Sequence, residues 1–97
     1  MADFTSILLK SAKDALRKTL GESAAAAIDF YCDPSTLAED SGKYSEDLAK
    51  LFGMGASILE DVIVRELYSR LGLRYKKKSN RRFTDYIAEA EKTYRSK

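Results

Sequence analysis

Three times along the chain, an apolar residue followed by glycine closes a helical pattern: Leu20-Gly21, Phe52-Gly53 and Leu71-Gly72. Glycine enters the left-handed conformation that finishes a helix at little steric cost, so it is common just past the last helical residue. The chain is therefore predicted to consist of short helices that fold back on one another.

Apolar side chains recur with the helical period in five segments, which begin near Ser6, Glu22, Ser45, Ala56 and Thr84. Ser45 and Thr84 are predicted N-caps, because their hydroxyls can accept from backbone N–H groups of the first helical turn. No useful length of the chain alternates with period two. We therefore predict an all-α fold: a single domain over residues 1–97, built as a compact antiparallel bundle of four principal helices plus a shorter helical segment at 22–32.

The helix over residues 56–71 is predicted to be the central element of the bundle. Its apolar side chains cover most of its circumference, which indicates neighbours on more than one side. A second copy of the chain could cover part of this surface as well as helices of the same chain, so the homo-oligomeric state stays undetermined at this stage. The residues concerned are Ile58, Leu59, Val62, Ile63, Val64, Leu67, Tyr68 and Leu71.

The chain contains no histidine and a single cysteine, Cys32. Catalytic triads that need histidine are therefore excluded, as are zinc sites built from several histidines or cysteines. Gly53-Met54-Gly55 lacks the lysine-threonine sequel of a phosphate-binding loop and is predicted to be a tight turn. We expect no enzyme, no catalytic residues and no cofactor.

The longest uninterrupted apolar run extends only from Ala24 to Ile28, and the N-terminus lacks a basic region followed by an apolar block. This pattern predicts a soluble, cytoplasmic protein without a membrane partner. Cys32 cannot form an internal disulfide and is expected to pack as a small buried hydrophobe.

One segment, residues 74–82, carries six of the 17 lysines and arginines. The other eleven cations face fifteen carboxylates, so the body of the molecule has a net charge of about −4 and the charge is polarised. Tyr75 and Phe83 stand beside these cations, in the way that single-strand binders combine rings and positive charge. The predicted partner-binding residues of this basic loop are Arg74, Tyr75, Lys76, Lys77, Lys78, Arg81 and Arg82.

Three hypotheses remain open for the basic loop: a solvated linker, a binding segment for an acidic or phosphorylated protein, and a nucleic-acid contact. The acidic body would repel a polyanion beyond the loop itself, which weighs against nucleic acid. The favoured partner is an unknown protein, with nucleic acid as the alternative.

Residues 33–44 contain several helix-breaking positions and are predicted to form an acidic loop, although residues 35–39 could hold one helical turn. An EF-hand is excluded, because Leu37 and Leu48 would occupy its first and last ligand positions. We expect no metal site, and weak calcium binding is kept only as an alternative. Its candidate ligands are Asp33, Glu39, Asp40, Glu46 and Asp47.

Two stretches, LGESAAAAIDFY at 20–31 and FGMGASILE at 52–60, together with the following residues 62–73, resemble a small archaeal helical domain called the Nitrosopumilus output domain. That domain occurs alone or as a module in proposed signalling proteins. The similar part covers residues 7–73, and its motifs are structural glycines and apolar positions. The resemblance implies an all-helical fold, an archaeal source and an output or interaction role. It supplies no catalytic residues, and the basic loop and final helix extend beyond it.

Overall fold

The structure, a computed structural model, describes residues 3–78 and 80–96. The described residues form six α-helices and no strand, so the predicted all-α class is confirmed, with one more short helix than the sequence indicated. The helices are α1 (Phe4–Leu20), α2 (Glu22–Tyr31), α3 (Pro34–Glu39), α4 (Ser41–Phe52), α5 (Ala56–Leu71) and α6 (Phe83–Arg95). A single 3₁₀ turn, Gly53–Gly55, joins α4 to α5 where a tight turn was predicted.

The three glycines that were predicted to end helices all have positive φ, at 89° for Gly21, 56° for Gly53 and 72° for Gly72. Only Gly72 has the left-handed helical geometry, with ψ of 23°. Its N–H donates to the carbonyl of Ser69 over 3.2 Å, and the N–H of Leu73 donates to the carbonyl of Tyr68 over 2.8 Å. This pair of bonds is a Schellman motif, which ends α5 and directs the chain into the basic loop.

The predicted acidic loop at 33–44 is wrong, because most of this segment is helical. The Asp33 carboxylate accepts from the backbone N–H of Ser35 over 2.9 Å, and Pro34 takes the first helical position, where its missing N–H costs nothing. Leu37, at 1% exposure, then fixes α3 in the core. Asp33 and Pro34, which were expected to lie in a loop, therefore begin a helix. Burial of a single leucine stabilises this helix of only six residues.

Two predicted N-caps are also wrong. The cap of α4 is Asp40, whose carboxylate accepts from the N–H of Lys43 over 3.1 Å, and Ser45 lies inside the helix with its hydroxyl donating to Glu60. In α6 the residue before the helix is Arg82, so Thr84 lies inside the first turn. In each case a carboxylate near the helix start satisfies a backbone N–H and fixes an earlier boundary.

The core of the bundle lies between α5 and its neighbours α1, α4 and α6. α1 runs antiparallel to α5, as shown by Lys18 pairing with Glu66 and Asp14 pairing with Arg70. Cys32 is fully buried, as expected, and burial raises the pKa of its thiol. The most deeply buried larger side chains are Leu16, Leu37, Tyr44, Leu48, Ile63, Val64 and Leu67.

Across residues 3–78 and 80–96, none of the helices combines the length and the apolar character that crossing a bilayer would require.

Candidate partner-binding surface

The basic loop lies between α5 and α6, and its described residues, 74–78 and 80–82, contain no helix. Ser79, which belongs to the predicted loop, lies outside the described residues. The loop is nevertheless held to the helices by side chains that the structure brings together beneath it. These are three tyrosines, one from α5, one from the loop and one from α6, here called the tyrosine cluster: Tyr68, Tyr75 and Tyr86.

The three rings of the tyrosine cluster all pack edge to face. Their centroids are 5.6 Å apart for Tyr68 and Tyr75, 6.4 Å for Tyr68 and Tyr86, and 5.3 Å for Tyr75 and Tyr86. Edge-to-face pairs of this kind contribute roughly 0.5–1.5 kcal/mol beyond the area they bury. The loop therefore rests on a specific aromatic base.

Hydrogen bonds from the tyrosine cluster fix the backbone of the loop. The hydroxyl of Tyr86 accepts from the N–H of Lys78 over 2.7 Å and donates to the carbonyl of Lys78 over 3.2 Å. The hydroxyl of Tyr68 donates to the carbonyl of Tyr86 over 2.8 Å, which joins α5 to α6 below the loop. Leu73 is held at the other end by the Schellman bond, so the run 73–78 is tied down at both ends.

Tyr75 anchors the middle of the loop to α5 through Asp61. Its hydroxyl donates to Asp61 over 2.6 Å, and Asp61 also accepts from Arg65 over 2.7 Å. Burial raises the pKa of Tyr75, and the bond to the Asp61 carboxylate raises it further. Burial by itself would raise the pKa of Asp61, but the hydrogen bonds from Tyr75 and Arg65 outweigh it and hold that pKa below its usual value. The pair is thus a neutral phenol bonded to an ionised carboxylate over the neutral pH range.

Two arginines stack on the cluster. The Arg65 guanidinium lies 5.5 Å from the centre of the Tyr75 ring, and the Arg81 guanidinium lies 5.2 Å from the centre of the Tyr86 ring. Arg81 also pairs with Glu89 of α6. Arg81 therefore helps to hold the loop in place, and its charge interacts mainly with Glu89 and the Tyr86 ring of the same molecule.

The other five cations of the loop are exposed and have no ion-pair partner among the described residues. They divide into two sets according to the cleft that each one lines. One set lines a cleft of about 150 Å³, here called the cationic cleft, and consists of Arg74, Lys76 and Lys78. The other set, Lys77 and Arg82, lines a cleft of about 290 Å³, here called the mixed cleft.

The two clefts differ in charge. The cationic cleft holds one carboxylate, Glu89, which is already paired with Arg81. The mixed cleft has the carboxylates of Glu60 and Asp61 on its α5 wall, opposite Lys77 and Arg82. An anion is therefore favoured in the cationic cleft, whereas the mixed cleft presents both signs of charge.

The aromatic rings near the loop do not form a stacking platform for bases. Phe83 is only 7% exposed, and Tyr75 is packed against Tyr68 and Tyr86. The sequence suggested that these rings could stack on bases, but in the structure their faces are covered. The loop can therefore contact a nucleic acid mainly through its phosphate groups.

The candidate calcium ligands are dispersed. Asp33 and Asp40 cap α3 and α4, and Asp47 accepts from Lys43 over 2.6 Å. Glu39 and Glu46 are exposed. In the part of the chain that the structure describes, no three acidic or sulfur-bearing side chains gather as metal ligands would.

The acidic residues between positions 33 and 47 do not neutralise the basic loop. Gly42, at the start of α4, lies near Thr84 of α6, so the two regions are neighbours. None of the ion pairs formed by the described residues joins residues 33–47 to residues 74–82, however. The basic loop thus keeps its unpaired charge on the molecular surface.

Sequence reasoning identified the cations of the loop but missed the tyrosine cluster that positions them. The helical period places Tyr68 and Tyr86 on the apolar faces of their helices, and nothing in that period shows that both lie beneath the loop. The only sequence signal is the spacing of three tyrosines around the basic segment.

Several large apolar side chains are exposed away from the loop. Phe30 and Tyr31 stand at the end of α2, at 84% and 67% exposure, and Met54 in the 3₁₀ turn is 95% exposed. Ile58 at the start of α5 is 63% exposed, although the rest of that helix is largely covered by α1, α4 and α6. Most of the apolar surface of α5 is therefore covered by other helices of the same chain.

In comparisons with known proteins, the chain matches no family, no curated protein and no solved structure.

Proposed function

We propose that this chain is a small non-enzymatic interaction module whose basic loop binds an acidic segment of a partner protein. The observation that carries the proposal is the contrast in charge pairing. Five of the six loop cations have no ion-pair partner among the described residues, while the body pairs many of its charges internally, as at Arg17–Glu22 and Arg70–Glu66. Unpaired cations on a held backbone supply charge complementarity without an ordering cost for the loop.

The tyrosine cluster supports binding in preference to a solvated linker. A linker needs reach and freedom, but this loop is bonded to the helices at Leu73, Tyr75 and Lys78. Pre-organisation of this kind has a cost in conformational entropy that a simple connection would avoid. A binding role accounts for this cost, because a held backbone keeps the exposed cations together on one surface before a partner arrives.

An acidic protein suits the surface better than a nucleic acid does. The carboxylates of Glu60 and Asp61 lie on the wall of the mixed cleft, beside the loop, and would repel a continuous phosphate backbone. A short acidic peptide can contact the loop cations and avoid those carboxylates. Base stacking drives much sequence-tolerant single-strand binding, but the described residues of the loop and its flanks offer no fully exposed ring for it.

The resemblance of residues 7–73 to the Nitrosopumilus output domain is compatible with this role and extends the proposal to an archaeal signal-output protein. We place it in the cytoplasm, where a lone buried thiol such as Cys32 meets no oxidising pressure to pair. The basic loop lies wholly outside the similar stretch, so its proposed function rests on its own charge and geometry.

The test is a binding titration with a fluorescent oligoglutamate peptide at two salt concentrations. A loop variant with three lysines neutralised is compared with a control variant that loses the same charge at three exposed lysines outside the loop, none of which forms an ion pair with the described residues. The loop variant is Lys76→Gln, Lys77→Gln, Lys78→Gln, and the control is Lys10→Gln, Lys13→Gln, Lys50→Gln. We expect the loop variant to bind the peptide about tenfold more weakly and the control to change by less than about twofold.

Equal weakening of the two variants would mean that net charge alone attracts the peptide, and the proposal would fail. Oligonucleotides, single- and double-stranded, serve as the competing probe in the same titration. Tighter binding to an oligonucleotide than to the peptide, with log K falling by roughly 0.7–0.9 per phosphate contacted as log salt rises, would replace the acidic protein by nucleic acid.

A further inference from the structure

The cationic cleft has a more specific geometry than a general positive patch. Arg74, Lys76 and Lys78 alternate with Tyr75 and Lys77 along the loop, and the two lysines and the arginine of the first group all line one cleft of about 150 Å³. All three are exposed and lack an ion-pair partner in the described structure. A compact space surrounded by three available cations favours a compact, multiply charged anion.

Hydrogen bonds and ring contacts hold the walls of the cationic cleft to the helices. Tyr68 and Tyr86 line it, and both hydroxyls are engaged in hydrogen bonds to backbone groups. Arg81 is held there by its stacking on Tyr86 and its pairing with Glu89. The contacts to a ligand would therefore come from the three unpaired cations, whose backbone is tied at Leu73 and Lys78.

A phosphate group fits this arrangement better than a single carboxylate does. Phosphate on a side chain carries a charge of about −1.5 to −2 at neutral pH and has three strong acceptor oxygens, which three donors on separate side chains can each contact. A carboxylate has two oxygens and one charge, so it would leave at least one of the three cations unused. A run of glutamates presents one charge per residue, so it would gain little from three cations that line the same small cleft.

We infer that the cationic cleft, through Arg74, Lys76 and Lys78, binds the phosphate group of a phosphorylated side chain on the partner protein. This inference rests on the proposed function, because it names the chemical group that the acidic segment presents to the loop. Lys77 and Arg82, on the other side of the loop, contribute general attraction to the acidic segment but do not contact the phosphate.

The test uses two variants that each remove two cations from the same loop. The cleft variant is Lys76→Gln, Lys78→Gln, and its matched control is Lys77→Gln, Arg82→Gln. The probes are a phosphoserine peptide, the same peptide with serine, the same peptide with glutamate, inorganic phosphate, and vesicles containing phosphatidic acid. Affinities are measured at constant ionic strength, and backbone amide shifts report where each probe binds.

We expect the native chain to bind the phosphoserine peptide about tenfold more tightly than the serine peptide, and more tightly than the glutamate peptide. The cleft variant should lose this preference, and the control should keep it at a lower overall affinity. Inorganic phosphate should shift the amides of Lys76 and Lys78 in a saturable way in the native chain and the control only.

The contrary results distinguish failure of the phosphate-binding inference from failure of the proposed acidic-segment binding. Equal binding of the phosphoserine and glutamate peptides, weakened alike by both variants, would overturn the phosphate assignment and leave the acidic-segment function standing. Failure of all three peptides to bind would overturn both. Binding to vesicles that exceeds binding to the phosphoserine peptide, and that depends on Lys76 and Lys78, would assign the cleft to a lipid headgroup and overturn the inference.

Discussion

Replacing Tyr75 by phenylalanine tests whether the basic loop is held to α5 by the bond from its hydroxyl to Asp61. The variant keeps the ring, so the contacts to Tyr68 and Tyr86 and the stacked Arg65 are preserved. Only the 2.6 Å hydrogen bond to the carboxylate is lost. The change therefore isolates one bond among those that fix the loop.

Hydrogen bonds to charged groups contribute roughly 1.5–3 kcal/mol to the free energy of unfolding. The value here should lie near or below the lower end, because Asp61 keeps its bond from Arg65 and its side chain is 18% exposed, so water can take the place of the hydroxyl. We expect Tyr75→Phe to lower the free energy of unfolding by about 1–1.5 kcal/mol. For a domain of this size, each kcal/mol lowers Tm by about 4–8 °C.

The assay is urea unfolding followed by circular dichroism, with Tyr31→Phe as the control. Tyr31 is 67% exposed and its hydroxyl has no hydrogen bond in the described residues, so its removal should change the free energy by less than about 0.5 kcal/mol. A double-mutant cycle with Asp61→Ala should give a coupling of about 1 kcal/mol between the two side chains. A coupling that cannot be told from zero would refute the reasoning.

The coupling should also depend on pH. Because the pKa of Asp61 is lowered in the folded protein, its stabilising contribution is complete above the unfolded-state pKa and is lost as pH falls through the lower folded-state value. The coupling is therefore expected to be constant near neutral pH and to decline below about pH 4. A coupling that rose on acidification would contradict the assigned ionisation of this pair.

Three further predictions concern the fold. Gly72→Ala should lower the free energy of unfolding by about 1 kcal/mol through its positive φ alone, since an added Cβ meets nothing within 4 Å, whereas Gly55→Ala, at negative φ, should be neutral or slightly stabilising by chemical denaturation. Asp40→Ala should cost about 1 kcal/mol by removing the cap of α4, and an unchanged stability would mean that the helix is capped elsewhere. Burial, followed by the neighbouring Cys32 and Asp29, raises the pKa of Tyr44, so its contribution to stability is complete below about pH 10 and falls as pH rises further, by about 1.4 kcal/mol per pH unit. Tyr44→Phe should therefore lose less stability than the native chain between pH 10 and pH 12, and parallel pH profiles would speak against a buried neutral phenol.

The helical period located the main elements because burial of an amphipathic face is a local property of the sequence. The bounds of α5 were predicted to the residue, since its apolar pattern begins after a glycine turn and ends at Gly72. Segment 33–44 was mispredicted for a complementary reason. Its breakers are equally compatible with a loop or with two capped helix starts, and burial of Leu37 against α1 decides between them.

The candidate partner-binding surface was likewise predictable from the sequence in part only. The excess of positive charge at 74–82 is visible in the composition, and no fold is needed to find it. The shape of the basic loop cannot be found from the composition. The loop is positioned by Tyr68 and Asp61 of α5 and by Tyr86 of α6, and these side chains meet only when the helices pack. The separation of Arg74, Lys76 and Lys78 from Lys77 likewise follows from where that packing leaves the two clefts.

The sequence by itself determined the helical class, the glycine-ended helices and the polarised charge, because period, backbone freedom and charge are properties of residues and their near neighbours. The tertiary structure alone decided which polar segment became helical and how the basic loop is held. Those outcomes depend on contacts between residues distant in the chain, whose energies no local pattern contains.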